Sequence, residues 1–247
     1  FGGDSCGING CDEYERSSIE SVSALPNGGF SINGYFRGTM YIGNHSVQDK
    51  TNSANAHTWM QFIATFDSDY NLSYVQEISS KKIPQYPMLT GDTSDNVYLT
   101  FALRTDNVAS KEDVSFWSNQ TGISERIDWN SPSTSICNAA TTSQTIIAKI
   151  APNGTWEWVK STYGAVSSYP NAFTSDENGQ LYIHSLLQGC SGGSYSSTTV
   201  SHRMYLNSTL NTIVNTTYTS SGSGLLQQGS VLIGIDENGS WTSLFEV

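Results

Sequence analysis

The sequence predicts an all-β protein made of three homologous units, each of four antiparallel strands. The first sign is a stretch written three times. Ile63 to Val75 (IATFDSDYNLSYV), Ile147 to Val159 (IAKIAPNGTWEWV) and Leu232 to Leu244 (LIGIDENGSWTSL) align without a gap at intervals of 84 and 85 residues. Self-similarity at a fixed period marks a repeat architecture. The second sign lies inside each copy, where an alternating apolar run passes through Asn, Asp or Gly into a second strand-like run, as in two strands joined by a tight turn. The third is that each copy is preceded by another segment of the same kind.

In chain order, residues 1–17 (FGGDSCGINGCDEYERS) precede the first unit and hold Cys6 and Cys11 around a Gly-rich loop. A bridge there would pin a chain end that otherwise has little to hold it. The first unit, 18–79, starts with an alternating strand, the turn PNGG, and a second strand with Phe30, Ile32 and Phe36 on alternate positions. The second unit, 80–162, repeats this with Val97, Leu99, Phe101 and Leu103 on one face, and the third, 163–247, with Leu181 and Ile183 in the same places. Tyr86-Pro87 and Tyr169-Pro170 begin these segments alike. In the later hairpins Phe62, Ala64 and Phe66 correspond to Ile146, Ala148 and Ile150 and to Val231, Ile233 and Ile235, so one face of each strand is expected to be buried. Trp156 and Trp241 replace Leu72 just after the turn, where a large ring reaches the partner strand.

Long connections, roughly residues 38–58, 104–144 and 186–229, all fall between the second and third strands of a unit. In units set around one centre they would emerge on the same side, and connections of this length carry function or extra structure. Cys137 and Cys190 sit in the second and third of them, on neighbouring units. Of the three pairings that four cysteines allow, Cys6 with Cys11 and Cys137 with Cys190 is the one expected.

Composition narrows the class. A chain of 247 residues makes one large all-β domain or two small ones. Its net charge of −11, from 22 acidic against 11 basic residues, argues against a nucleic-acid partner. Charged residues are only 13%, about half the usual share, while Ser and Thr together number 62. A surface kept soluble by hydroxyls suits an extracellular glycoprotein. No apolar run approaches the roughly 20 residues of a bilayer crossing, so no membrane span is expected. The chain opens at Phe1 without Met or a basic-plus-apolar leader, as a mature secreted chain would. Its cysteines lack the CxxC spacing of a zinc site, and disulfides fit them better.

The repeats resemble the β-propeller repeats of bacterial and archaeal surface proteins, in which a strand ending G-Y-F-x-G-T precedes an F-I-A-K-φ-D-x-N-G-x-W-x-W hairpin. GYFRGT at Gly34 to Thr39 and FIATF at Phe62 to Phe66 carry the likeness in the first unit, IIAKIAPNGTWEW at Ile146 to Trp158 in the second, and IDENGSW at Ile235 to Trp241 in the third. It covers the hairpins and almost none of the connections. Propellers typically have about four to eight blades, whereas three units imply a three-bladed β-propeller whose crowded axis calls for small side chains or wedging insertions. In architecture and composition the chain resembles the three-bladed subunits of head-to-tail glycoprotein fibrils of environmental microbes. The other explanation of the blade count is a piece of a larger propeller.

Seven Asn-x-Ser/Thr acceptors, Asn44, Asn71, Asn119, Asn153, Asn207, Asn215 and Asn238, are close to the roughly five that composition gives by chance, so placement matters more than number. Asn71, Asn153 and Asn238 fall at or beside the equivalent hairpin turn, where a glycan would project into solvent. Asn-Gly is also favoured there without any sugar. Asp67 to Asn71 (DSDYN) has the oxygen spacing of half a calcium loop but lacks its Gly and distal Glu, and its place in the repeat favours turn residues. His45, His57, His184 and His202 show no ligand spacing, and no GxSxG elbow or phosphate loop occurs. A glycosidase carboxylate pair needs no local motif. Asp92, Asp95, Asp176 and Glu177, however, recur at equivalent turns, as solvated turn residues do. Trp59, Trp117 and Trp129, in or beside the connections, are candidates for stacking on sugars, with packing inside the insertions the commoner role.

The expectation is therefore a non-enzymatic, extracellular structural subunit of a glycosylated filament or surface layer. It would carry no metal and no cofactor beyond covalent N-glycans, and its partners would be copies of itself. Residues 1–17 are the candidate connector, adding to a neighbour's sheet edge. The alternatives are a secreted carbohydrate-binding module, and part of a larger propeller adhesin or glycan-active enzyme.

Overall fold

The computed structural model describes residues 2–3, 17–48, 59–80, 84–105, 113–118, 124–128, 142–161, 167–176, 178–188, 198–206, 209–218, 228–236 and 241–246. These residues form strands and turns, with no helix among them. A two-residue strand β1 (Gly2–Gly3) comes first. The first unit has β2 (Ser17–Ala24), β3 (Phe30–Phe36), an inserted hairpin β4 (Thr39–Ile42) and β5 (His45–Gln48), then β6 (Trp59–Phe66) and β7 (Leu72–Ser80). The second has β8 (Gln85–Gly91), β9 (Val97–Thr105), inserted β10 (Asp113–Ser118) and β11 (Ser124–Asp128), then β12 (Thr142–Ile150) and β13 (Trp156–Ser161). The third has β14 (Ser167–Ser175), β15 (Leu181–Gln188), inserted β16 (Thr198–Leu206) and β17 (Thr209–Tyr218), then β18 (Gln228–Ile235) and β19 (Trp241–Glu246).

The four framework strands of every unit pair in sequence order and antiparallel, as the repeat predicts: β2-β3-β6-β7, β8-β9-β12-β13 and β14-β15-β18-β19. Register is conserved between units, with Ile32 opposite Ala64, Leu99 opposite Ala148 and Ile183 opposite Ile233. Each first strand also bulges at the same level, at Glu20, at Tyr86-Pro87 and at Asn171. A bulge bends its strand and tightens the local twist. The exposed ring of Tyr86, on a backbone at φ 54°, meets Tyr169 edge-on at 6.0 Å there.

Burial exceeds the expectation of one covered face per strand, and the sheets stack to cause it. We call the face toward the preceding unit near and the other far. The near face of the second unit (Leu99, Phe101, Ile146, Ala148) packs on Ile63, Tyr74 and Ile78 of the first unit's far face. The near face of the third (Leu181, Ile183, Ile235) packs on Tyr98, Ile147 and Trp158 of the second unit's far face. In the first unit Met40, Ile42 and Val47 of the inserted hairpin cover the near face, against Ile32, Phe62 and Ala64. Several buried far-face polar groups are paired, Ser31 to Thr65 at 2.8 Å, Asn33 Nδ2 to the Phe62 carbonyl at 3.1 Å and Thr100 to the Ile146 carbonyl at 2.9 Å, whereas Asn33 Oδ1 and both amide atoms of Gln61 are buried without a hydrogen-bond partner. The Tyr35 hydroxyl donates to the Pro84 carbonyl, tying the units together, and burial, with Glu20 nearby, pushes its pKa up out of the usual phenol range.

Gly34, opposite Phe62 and beside the Glu20 bulge, is where the backbone has least room. A Cβ there would run into the Ser18 carbonyl oxygen and come within 2.7 Å of the Phe62 ring. Gly34→Ala is therefore expected to cost about 2–3 kcal/mol, a fall of roughly 5–10 °C in Tm. Thermal unfolding of the variant beside the parent measures it.

Candidate functional site

Five described hairpin turns, at residues 25–29, 67–71, 92–96, 151–155 and 176–180, share one geometry. The fourth residue's N–H donates to the first residue's carbonyl, and the first residue's N–H to the fifth's. The fourth residue is left-handed in all of them: Gly28, Tyr70, Asp95, Gly154 and Gly179 have φ of 88°, 64°, 61°, 82° and 76°. This is the three-residue hairpin loop, a type I turn closed by a bulge. In three of the turns the first residue is Asp, and its Oδ1 accepts the N–H groups of the third and fifth residues at 2.8–3.0 Å: Asp69 and Asn71 on Asp67, Ser94 and Asn96 on Asp92, Asn178 and Gln180 on Asp176. Oδ2 of Asp67 takes the Asn71 amide at 3.2 Å, and that of Asp92 the Asn96 amide at 2.8 Å and the Tyr98 hydroxyl at 2.7 Å. The backbone N–H of Asn71 leads in holding the Asp67 carboxyl below its ordinary pKa. The calcium-like spacing of DSDYN is thus turn chemistry, its oxygens already engaged by the turn's own donors. Asp95 is the left-handed residue of its turn and accepts the Asn27 N–H at 3.3 Å from the first unit's turn.

Of the glycan acceptors, Asn44, Asn71 and Asn153 are exposed on turns. Asn44 follows Gly43 (φ 59°) between β4 and β5, and Asn153 Oδ1 accepts the Thr155 N–H at 3.0 Å. Asn215 lies in β17 opposite Ser201. Asn119, Asn207 and Asn238 lie outside the described residues, as do Cys6, Cys11, Cys137, Cys190, His57, Trp129 and Glu177. His184 shares a hydrogen bond with Asn171 at 3.2 Å, His45 begins β5, and His202 is in β16 opposite Val214. Among the described residues no three His, Cys, Asp or Glu converge as a metal site would need. Trp59 is in β6 opposite Ser80. Trp117 is half-buried, donates to Ser79 Oγ at 3.0 Å, and through its carbonyl accepts Trp156 Nε1 at 3.3 Å. The Trp156 ring in turn stands edge-on to Phe116 at 5.1 Å. Packing, the commoner role, is what the geometry gives Trp117: it fastens an inserted hairpin between two units.

The second seam holds charge that the sequence reading passed over. Lys149 pairs with Glu157 at 2.7 Å and lies 5.8 Å from the Tyr98 ring centre. Lys160 is 1% exposed, with its ammonium 4.5 Å over the Trp158 ring. Burial pushes its pKa down from 10.5 to about 8, with Asp236 across the seam opposing the shift. A lysine in β13 at a position that is apolar in the third unit (Phe245) and amide in the first (Gln76) was the available signal.

The sheet edges are handled by the inserted hairpins. β10 continues the first unit's sheet beyond β7, with Ser115 opposite Ser79 and Ser118 opposite Gln76, making six strands. β16 lies against β13 of the second unit. Of the N-terminal segment, the candidate connector, Gly2 and Gly3 pair with Tyr41 and Met40 of β4, while residues 4–16 lie outside the described residues. No protein-family model matches the chain, and no curated protein is similar to it in sequence.

Asp92 is buried and carries four hydrogen bonds, whereas Asp67 is only half-buried. Asp92→Ala should cost about 3 kcal/mol or more and Asp67→Ala clearly less, read from denaturant midpoints. For Lys160 the folded pKa lies below the unfolded one, so between about pH 8 and 10 the unfolded chain holds the extra proton and stability rises with pH. Lys160→Met should lack that rise, as urea unfolding at pH 7, 8, 9 and 10 will show.

Proposed function

We propose that the protein is a secreted structural subunit of an extracellular glycosylated filament or surface layer, its units arranged as a three-bladed β-propeller and its copies joined head to tail. One observation carries the reading: each described seam joins a far face to the next near face, and the far face of the third unit is less covered than those of the other two. Ser31 and Asn33 in the first unit, and Tyr98 and Thr100 in the second, are fully buried by the unit that follows. Tyr182 and His184, their counterparts in the third, are half-buried. A contact that repeats in one direction without closing generates an open helical polymer. Exposed Asn44, Asn71 and Asn153 on turns are where glycans would clothe such a polymer, and the scarcity of surface charge fits a coat of hydroxyls and sugars.

Negative-stain microscopy of native material, with intact mass, tests this. Fibres or ordered layers are expected, with a subunit mass above the 26.9 kDa of the polypeptide. Compact, monodisperse, sugar-free particles would refute it.

A further inference from the structure

The seam between the first and second units buries polar atoms that the protein itself leaves unpaired. Asn33 and Gln61 are wholly buried. Asn33 Nδ2 donates to the Phe62 carbonyl at 3.1 Å, which fixes the orientation of the amide, and Asn33 Oδ1 and both amide atoms of Gln61 have no partner. Ser21 Oγ is buried and unpaired as well, and Ser21 stands directly across from Asn33 on the neighbouring strand. Asn33 lies opposite Ile63 and Gln61 opposite Tyr35, so the two amides are diagonal neighbours on the far face, with Cβ atoms about 7 Å apart. We propose that Ser21, Asn33 and Gln61 form an internal hydration site, in which about one or two water molecules bridge β2, β3 and β6 beneath the second unit.

The unpaired atoms select water by their chemistry. Asn33 Oδ1 and Gln61 Oε1 each need a hydrogen, while Gln61 Nε2 offers one. Water donates and accepts at once, whereas a metal cation takes oxygens alone and would leave the amide N–H groups unpaired. Turning the Gln61 amide over changes nothing, because both of its ends lack a partner. The covering layer cannot serve in place of water. β8 lies against β2 and β3, and Pro84 and Pro87, in and before it, carry no N–H. The Pro84 carbonyl is already taken by the Tyr35 hydroxyl, and the rest of the layer is apolar, with Leu89, Leu99, Phe101 and Ile146. The second seam is the contrast. There Thr100 holds the place of Asn33 and donates to the matching carbonyl, that of Ile146, while Thr145 holds the place of Gln61. Neither threonine leaves a buried atom unpaired, so the site belongs to the first seam.

High-resolution crystal structures of the parent and of the double variant Asn33→Thr/Gln61→Thr, which imports the residues of the second seam, test the site. Water relaxation dispersion counts the long-lived waters of both proteins in solution. In the parent, density is expected about 2.7–3.2 Å from Asn33 Oδ1 and from the Gln61 amide. The double variant should lose that density and about one or two long-lived waters. An unfilled site in the parent, or Asn33 and Gln61 bonded directly to each other, overturns the inference. So does a peak about 2.3–2.6 Å from the oxygens, the distance of a calcium ion. The same water kept in the double variant overturns it too, since these amides would then not be what holds it. The parent structure decides alone if the double variant does not fold.

Discussion

A four-stranded sheet with usable packing surface on both sides cannot be left half-covered, and the molecule follows from meeting that requirement three times. Ile63 and Ile147 point away from the alternate residues that the repeat marks as core, yet both are wholly buried because another sheet lies on that side. The far faces are polar by pattern and buried by position, so Ser31, Thr65, Thr100 and the Asn33 Nδ2 take partners across the strands. On the near face of the first unit the covering layer is its own inserted hairpin, with Met40, Ile42 and Val47 in the place a sheet takes elsewhere.

The turns hold these sheets in register at one end. One loop geometry recurs in five places, with its left-handed residue supplied by Gly in three and by Tyr70 and Asp95 in the others. The non-glycine cases accept backbone strain of about 1 kcal/mol, offset around Asp67 and Asp92 by carboxylates that gather two N–H groups each. The turns also touch across units. Ser175 donates to the Gly91 carbonyl at 2.7 Å, and Gly179 comes so close to Asp92 that a Cβ there would lie 3.0 Å from its carboxylate. The same carboxylates that look like metal ligands in the sequence are thus joints of the scaffold.

Much of this was legible. The thrice-written stretch gave the strand order, the register and the turn positions, because local alternation and turn chemistry are written in consecutive residues. What could not be read depends on residues far apart. Alternation marked Ser31 and Thr100 as solvent-facing, and only the stacking of the next sheet reverses that. The inserted strands are short and set in Ser- and Thr-rich stretches, so their periodicity is weak. That β10 would extend the first sheet and not the second is decided by the contacts of Trp117 with Ser79 and of Trp156 with Phe116, which no local pattern announces. Lys160 was overlooked because a lone lysine in a strand usually reaches water.

The half-buried Tyr182 and His184 have a consequence for how the molecule comes apart. Among the described residues the middle sheet is clamped by a seam on each side and the first by a seam and its own hairpin, while the third has a seam on its near side alone. In a linear array whose members touch only their neighbours, cooperativity travels through the seams, and opening starts where there are fewest. The third sheet should therefore fray before the others. Backbone amides there would exchange with solvent soonest, giving the molecule a polarity of unravelling that runs from the third sheet toward the first.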